Sequence, residues 1–183
     1  MGVTSALPRS RPLTYDDLAD LPDDDGHRYE LVDGTLIVTP APSYRHQSVS
    51  LRLSVLLDAA CPADLRVLTA PFAVTLGADT ELQPDLLVAS RADFTERDLP
   101  TAPLLAVEIL SPSTQLIDLN LKKARFEKVG CPSYWVVDPV EPRVTAWELE
   151  GATYAQVADI AADESWTAER PFPVTVTPSD LAR

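Results

Sequence analysis

Two carboxylates and a lysine, Asp85, Glu108 and Lys122, occupy places in this sequence where charge is costly and therefore informative. Glu108 is the only charge in the apolar run from Leu104 to Leu110, which ends at the break Ser111-Pro112. An apolar run of this length, bounded by a turn signal, reads as a buried strand. An ionised carboxylate there needs a cation or hydrogen bonds to compensate it. Asp85 follows Gln83-Pro84 and opens a second apolar strand, Asp85–Ala89, where its side chain can reach past the end of the sheet. Lys122 lies in the helical pattern from Gln115 to Val129 that resumes after the break. Brought together by a sheet and its following helix, the three make a divalent-metal site suited to phosphodiester chemistry.

Periodicity says which side chains can meet. At about 100° per residue, Asp118 and Val129 fall on one side of Lys122, and Leu119 and Phe126 on the other, all within about 60°. Lys122 is therefore centred on the face that packs inward, and Lys123 is turned about 100° away. Alternation along the strand puts Ala106, Glu108 and Leu110 on one face and Leu105, Val107 and Ile109 on the other. The same residues admit a purely structural reading, in which Glu108 and Lys122 form a buried ion pair and Asp85 caps a turn.

The elements that must position these groups are read in chain order. Thr14-Tyr15-Asp16-Asp17 is an N-cap with an acid at the third helical position, which predicts a short helix to about Asp20. The acidic Pro22-Asp23-Asp24-Asp25-Gly26 is a turn whose consecutive aspartates do not converge on an ion. Tyr29–Val32 and Thr35–Val38 form a hairpin across Asp33-Gly34, a type I′ signal, and Glu30 lies on the side opposite Tyr29 and Leu31. Ser43 caps a helix to about Ala60, with His46, Val49, Leu53, Leu56, Leu57 and Ala60 along one stripe. His46 thus points inward, either as a satisfied core residue or as a contact to substrate phosphate or metal-bound water. Strands are predicted over Leu65–Ala70 and Phe72–Leu76, with Pro71 marking a bend or edge. Ser90–Pro103 is a polar connection with a helical turn near Asp93–Arg97. Gly130 stops the helix of Lys122. Tyr134–Val137 is another apolar strand, Arg143–Leu149 and Thr153–Ile160 a second hairpin across Glu150-Gly151. Val174–Val176 and a short helix over Pro178–Leu181 close the chain.

Composition limits what these elements can do. With 183 residues, 45% of them hydrophobic, the chain suffices for one domain with a core. Residues 1–13 are expected to be a flexible N-terminal segment and 14–183 a single domain, since no repeat or long linker divides them. No apolar run approaches the roughly 20 residues of a membrane span, and the N-terminus has no secretory apolar region. A cytoplasmic protein is expected, with no membrane partner. Cys61 and Cys131 lack metal-ligand spacing and read as unrelated reduced thiols. The net charge of −13, from 28 acidic and 15 basic residues, argues against a general phosphate-backbone binder. It leaves room for an enzyme whose metal neutralises phosphate locally. The one dense basic cluster, Lys122, Lys123, Arg125 and Lys128, lies beside the proposed site.

Taken in order, Gln83-Pro84-Asp85, Glu108-Ile109-Leu110-Ser111-Pro112-Ser113, Asp118 with Lys122 four residues on, and Tyr134-Trp135-Val136-Val137-Asp138-Pro139 resemble the Uma-type family. These are bacterial proteins described as restriction endonucleases, long classed as a domain of unknown function, within the PD-(D/E)xK nuclease superfamily. The hairpin Tyr29–Gly34 and His46 fit as well, so the resemblance spans roughly residues 15–180. It implies an α/β (α+β) restriction-endonuclease-like fold, a mixed central sheet flanked by helices, with the two hairpins N- and C-terminal. It also implies Mg²⁺-dependent phosphodiester hydrolysis, Mn²⁺ being a possible substitute. Asp85 and Glu108 would ligate the metal, and Lys122 would orient the attacking water or neutralise the transition state. Glu30 would be a further acid at the metal edge, Gln83 a polar partner behind it and His46 an auxiliary contact. The chain departs from the superfamily pattern in one respect. The lysine expected two residues after the second acid is Leu110 here, so its role falls to Lys122.

The first expectation is therefore a nuclease acting on nucleic acid, DNA before RNA, with a homodimer suiting double-strand cutting. The alternative is a catalytically silent nuclease fold that binds nucleic acid or protein, and a third reading is a structural domain holding only the ion pair.

Overall fold

The computed structural model describes residues 11–18, 21, 26–111 and 116–183, except that the side chain of Asp118 lies outside the described atoms. The aspartates of the predicted acidic turn, the end of the first helix, residues 1–10 of the N-terminal segment and Pro112 of the break also lie outside the described residues.

Helix α1 (Tyr15–Leu18) leads to strands β1 (His27–Val32) and β2 (Thr35–Pro40) and the long helix α2 (Tyr44–Ala60). Strands β3 (Leu65–Thr69), β4 (Ala73–Gly77), β5 (Thr80–Leu82), β6 (Leu86–Ser90) and β7 (Asp98–Leu99) follow, then β8 (Leu105–Ile109). A π-helical segment, Ile117–Lys122, runs on into α3 (Lys123–Lys128). The chain ends with β9 (Ser133–Asp138), β10 (Arg143–Glu150), β11 (Thr153–Ala161), β12 (Trp166–Ala168), β13 (Val174–Val176) and α4 (Pro178–Ala182).

The strands make a six-stranded sheet ordered β11-β10-β9-β8-β6-β3, a five-stranded sheet ordered β2-β1-β5-β4-β7 and a two-stranded β12-β13 ribbon. In the six-stranded sheet only β8 and β9 are parallel, and the helical connection between them supplies Lys122. Alternation sorts the side chains of this sheet into two cores. Leu86, Val88, Leu105, Val107, Ile109, Trp135 and Val137 pack with Val49, Leu53 and Leu57 of α2 and Leu181 of α4. Leu87, Ala89, Ala106, Tyr134 and Val136 pack with Phe126 of α3 and with Val32, Ile37, Val74 and Leu82 of the five-stranded sheet. Glu108 shares the second face with Ala106, so the sheet aims a carboxylate at the seam between the two sheets.

The first hairpin forms as its turn chemistry predicts: Val32 pairs with Thr35, and Asp33 and Gly34 both take positive φ, 48° and 73°. Only glycine fits at Gly34, where a Cβ would collide with Pro12. Ser43 caps α2, its hydroxyl accepting from the His46 N–H at 3.3 Å. The second hairpin pairs Glu150 with Thr153, so its turn is Gly151-Ala152, one residue later than expected. The region after Ser90 holds a 3-10 turn at Arg91–Asp93 instead of a turn at Asp93–Arg97, capped by the Ser90 hydroxyl. Strands β5, β7 and β12 were not anticipated: two or three residues carry too little period-two signal to be read. Among the described residues no helix is long and apolar enough to cross a membrane.

Candidate active site

The site begins with strand register. Strands β6 and β8 are antiparallel, with Leu86 opposite Val107 and Leu87 opposite Ala106. One step further along the same register, Asp85 faces Glu108 across the two strands. Directly opposed residues in antiparallel strands stand about 4.5–5.5 Å apart at Cβ, so the turn at Gln83-Pro84 delivers one carboxylate beside another. The Ile109 N–H donates to Asp85 Oδ2 at 2.8 Å and locks the two strand ends together.

Lys122 answers the charge of Glu108. Its ammonium lies 3.2 Å from Glu108 Oε1 and 2.9 Å from Glu30 Oε1, and all three residues are 0% exposed. The inward orientation predicted from an α-helical period holds, although residues 117–122 form a π-helical segment. The wider turn changes the path into α3, and such segments recur at functional sites. Lys123 is turned aside, its ammonium 4.1 Å from the ring centroid of Trp147. Glu30 is therefore a direct partner of the lysine, more central than the auxiliary acid expected. Its Oε1 also accepts from the backbone N–H of Gln83 at 2.8 Å, and the Gln83 amide donates to the Tyr29 carbonyl at 3.3 Å. Gln83 thus supports the site through its main chain.

Asp85 has a separate set of partners. Arg28 donates to Oδ1 at 2.9 Å, and His46 Nε2 lies 3.0 Å from Oδ2. His46 is buried at 8% exposure, and Val49, Leu53 and Leu57 of the predicted stripe are buried with it; Leu56 is only half-buried and Ala60, at the end of α2, is exposed, so the stripe stops a turn earlier than expected. The His46 ring is held by Asp85, which makes it a positioning contact within reach of the cleft. Burial by itself would raise the Asp85 pKa. The hydrogen bond from His46, the charges of Arg28 and His46 and the Ile109 N–H outweigh it and bring Asp85 down to about 2. A carboxyl held below its unfolded value stabilises the fold above that value and loses the contribution as pH falls towards the folded pKa. Stability should therefore drop between about pH 4 and pH 2 by an amount on the order of 2 kcal/mol that Asp85→Asn removes. Urea midpoints of both proteins at a series of pH values would check this; parallel curves would refute it.

Arg28, His46, Gln83 and Asp85 line a cleft of about 710 Å³ together with Arg45 and Ser111, among others, whereas Glu30, Glu108 and Lys122 are fully buried and not part of its lining. The basic cluster read from the sequence does not gather there. Lys122 enters the site, Lys123 stacks on Trp147, Arg125 pairs with Asp33, and Lys128 is exposed. The positive wall of the cleft comes instead from β1 and the start of α2. Arg28 is the functional residue that the sequence reading missed, although period two places it on the same side of β1 as Glu30. Both cysteines are free, and burial pushes the Cys131 thiol up to about 12. Among the described residues no three His, Cys, Asp or Glu side chains are grouped so as to hold a metal ion. The carboxylates are instead interleaved with Arg28 and Lys122.

A family model named Uma2 and described as "Putative restriction endonuclease" matches residues 15–182. The chain belongs to the Uma2 family. That match runs from α1 to α4 and contains every residue of the site. Membership therefore places the protein in a family described as putative restriction endonucleases. Its fold is also that of a crystal structure from Anabaena variabilis described as a putative nuclease. The likeness has a TM-score of 0.71 at 21% identity and covers 93% of this chain and 98% of the other. The restriction-endonuclease-like fold expected from the sequence is thus established. No curated protein matches the chain significantly.

Proposed function

We propose that this Uma2 protein is a divalent-metal-dependent nuclease that hydrolyses phosphodiester bonds of nucleic acid, DNA before RNA, at Asp85, Glu108 and Lys122. The observation that supports the reading is that Asp85, at the wall of the cleft, accepts from the N–H of Ile109 next to Glu108, and that Glu108 is paired with the buried Lys122. The donors suit Mg²⁺ or Mn²⁺: carboxylate oxygens are hard ligands, and Mg²⁺ is typically held by one or two carboxylates with waters and substrate phosphates. Asp85 and Glu108 would hold the ion, which supplies an activated water and charge neutralisation at the phosphate. The formal charges agree: among the described residues three carboxylates, Glu30, Asp85 and Glu108, face two permanent cations, Arg28 and Lys122.

The chain's own groups then have distinct roles. Lys122, fixed between Glu30 and Glu108, neutralises charge developing on the phosphate or orients the attacking water. Glu30 holds Lys122 in place and is itself held by the Gln83 N–H. His46 and the Ile109 N–H fix the Asp85 carboxylate. Arg28, Arg45, His27 and His46 give an otherwise acidic chain a locally basic wall for a polyanion. A homodimer would offer two such sites to one duplex.

One observation favours the alternative, a silent nuclease fold that binds without cutting: Asp85 and Glu108 already have cationic neighbours. End-labelled single- and double-stranded DNA and RNA, incubated with Mg²⁺, Mn²⁺ or EDTA, decide between the two. Cleavage is expected with metal only and is lost in Asp85→Asn. Binding that survives EDTA, with no cleavage under any condition, would establish the silent reading.

A further inference from the structure

We propose that Arg28 is the resident counter-ion of the carboxylates and an exchangeable one: it gives up Asp85 when a divalent ion enters and turns into the cleft to take a substrate phosphate. The proposal rests on the nuclease reading above and assigns a residue for which that reading has no chemical step. Arg28 lies between two acids, its Nη1 2.9 Å from Asp85 Oδ1 and its Nε 3.7 Å from Glu30 Oε2. It therefore sits at the point shared by two carboxylates, which is where an entering cation would be drawn.

Of the two cations in the site, only Arg28 has somewhere to go. The Lys122 side chain is 1% exposed and enclosed, whereas that of Arg28 is 21% exposed and lines the cleft. Its backbone is fixed in the first hairpin opposite Thr39, whose hydroxyl lies 3.4 Å from Nε, so a change of rotamer moves the fork without moving the strand. Formal charge points the same way. Among the described residues, turning Arg28 out removes one positive charge from beside Glu30 and Asp85 and leaves Asp85 held by His46 and the Ile109 N–H, which makes the position more attractive to a divalent ion. A planar guanidinium then suits a phosphate, which it can grip through two parallel hydrogen bonds.

The prediction is a pair of opposite effects, which a purely structural arginine would not produce. In calorimetric titrations Arg28→Gln should bind Mn²⁺ about tenfold more tightly than the wild type, the scale of one charge-assisted contact. In fluorescence anisotropy with labelled duplex DNA and Ca²⁺, the same variant should bind about tenfold more weakly, and the difference should vanish in EDTA. Arg28→Lys, which keeps the charge but loses the fork, should shift both constants in the same directions by less. It serves as the test variant if Arg28→Gln does not fold by circular dichroism. Weakening of both constants, or an unchanged Mn²⁺ affinity, would overturn the exchange while leaving metal binding intact. Absence of Mn²⁺ binding in wild type and variants alike would overturn the nuclease reading and this proposal with it.

Discussion

Replacing Glu108 by glutamine is expected to reduce metal-dependent cleavage by roughly a thousandfold or more while the protein stays folded. Glutamine keeps the shape of the side chain, so the strand β8 and its parallel partner β9 lose no packing. The removed charge is the one directly opposite Asp85, and an amide oxygen is a much poorer ligand for a hard ion than a carboxylate. Lys122 would still have Glu30 at 2.9 Å, so its ammonium is not stranded by the change. The burial cost of one anion also disappears, and stability should be unchanged or slightly higher. Single-turnover rates on the best-cleaved labelled substrate, together with thermal melts, would read both effects. A variant that retains more than about a tenth of the wild-type rate would remove Glu108 from the chemistry.

Replacing Lys122 by methionine is expected to cost about 3–5 kcal/mol, the range for breaking a buried ion pair by removing one partner. Glu30 and Glu108 are both 0% exposed and would face each other across the space the ammonium leaves. At roughly 2–4 °C per kcal/mol for a chain of this size, the melting temperature should fall by about 6–20 °C. The mechanism makes a second demand. Adding Glu30→Gln to Lys122→Met removes one of the two stranded charges and should recover a large part of the loss, whereas independent sites would simply add. Urea unfolding of the two singles and the double would show this. A loss in Lys122→Met below about 1 kcal/mol would mean that the lysine does not compensate the carboxylates. The double variant should nevertheless remain inactive, because the cation to which the proposed mechanism assigns neutralisation of the phosphate is gone.

Much of the site was legible because burial and charge conflict in the sequence. Glu108 alone in an apolar strand and Lys122 centred on an apolar helical face each required a partner, and the structure makes each the partner of the other. The Asp33-Gly34 turn and the Ser43 cap were legible for a different reason: they are local chemistry, complete within a few residues. Glu30 was undervalued and Arg28 overlooked because both lie on a hairpin whose covered face depends on docking against β6 and β8. Nothing within the hairpin encodes that docking. The same limit explains the basic cluster, where proximity in sequence suggested convergence and four helical directions dispersed it.

The sequence by itself determined which residues must be buried, which of two adjacent lysines turns inward, and the ordered acids that mark the family. Periodicity and desolvation act along the chain, and they leave a one-dimensional trace. Only the tertiary structure decided that Asp85 stands opposite Glu108, that Glu30 reaches Lys122 from a different sheet, and that Arg28 sits among the carboxylates. Those contacts join residues tens of positions apart through register and sheet packing. They exist because several partly compensated charges lower their energy by sharing cations, and that sharing is a property of the assembled fold, not of any one segment.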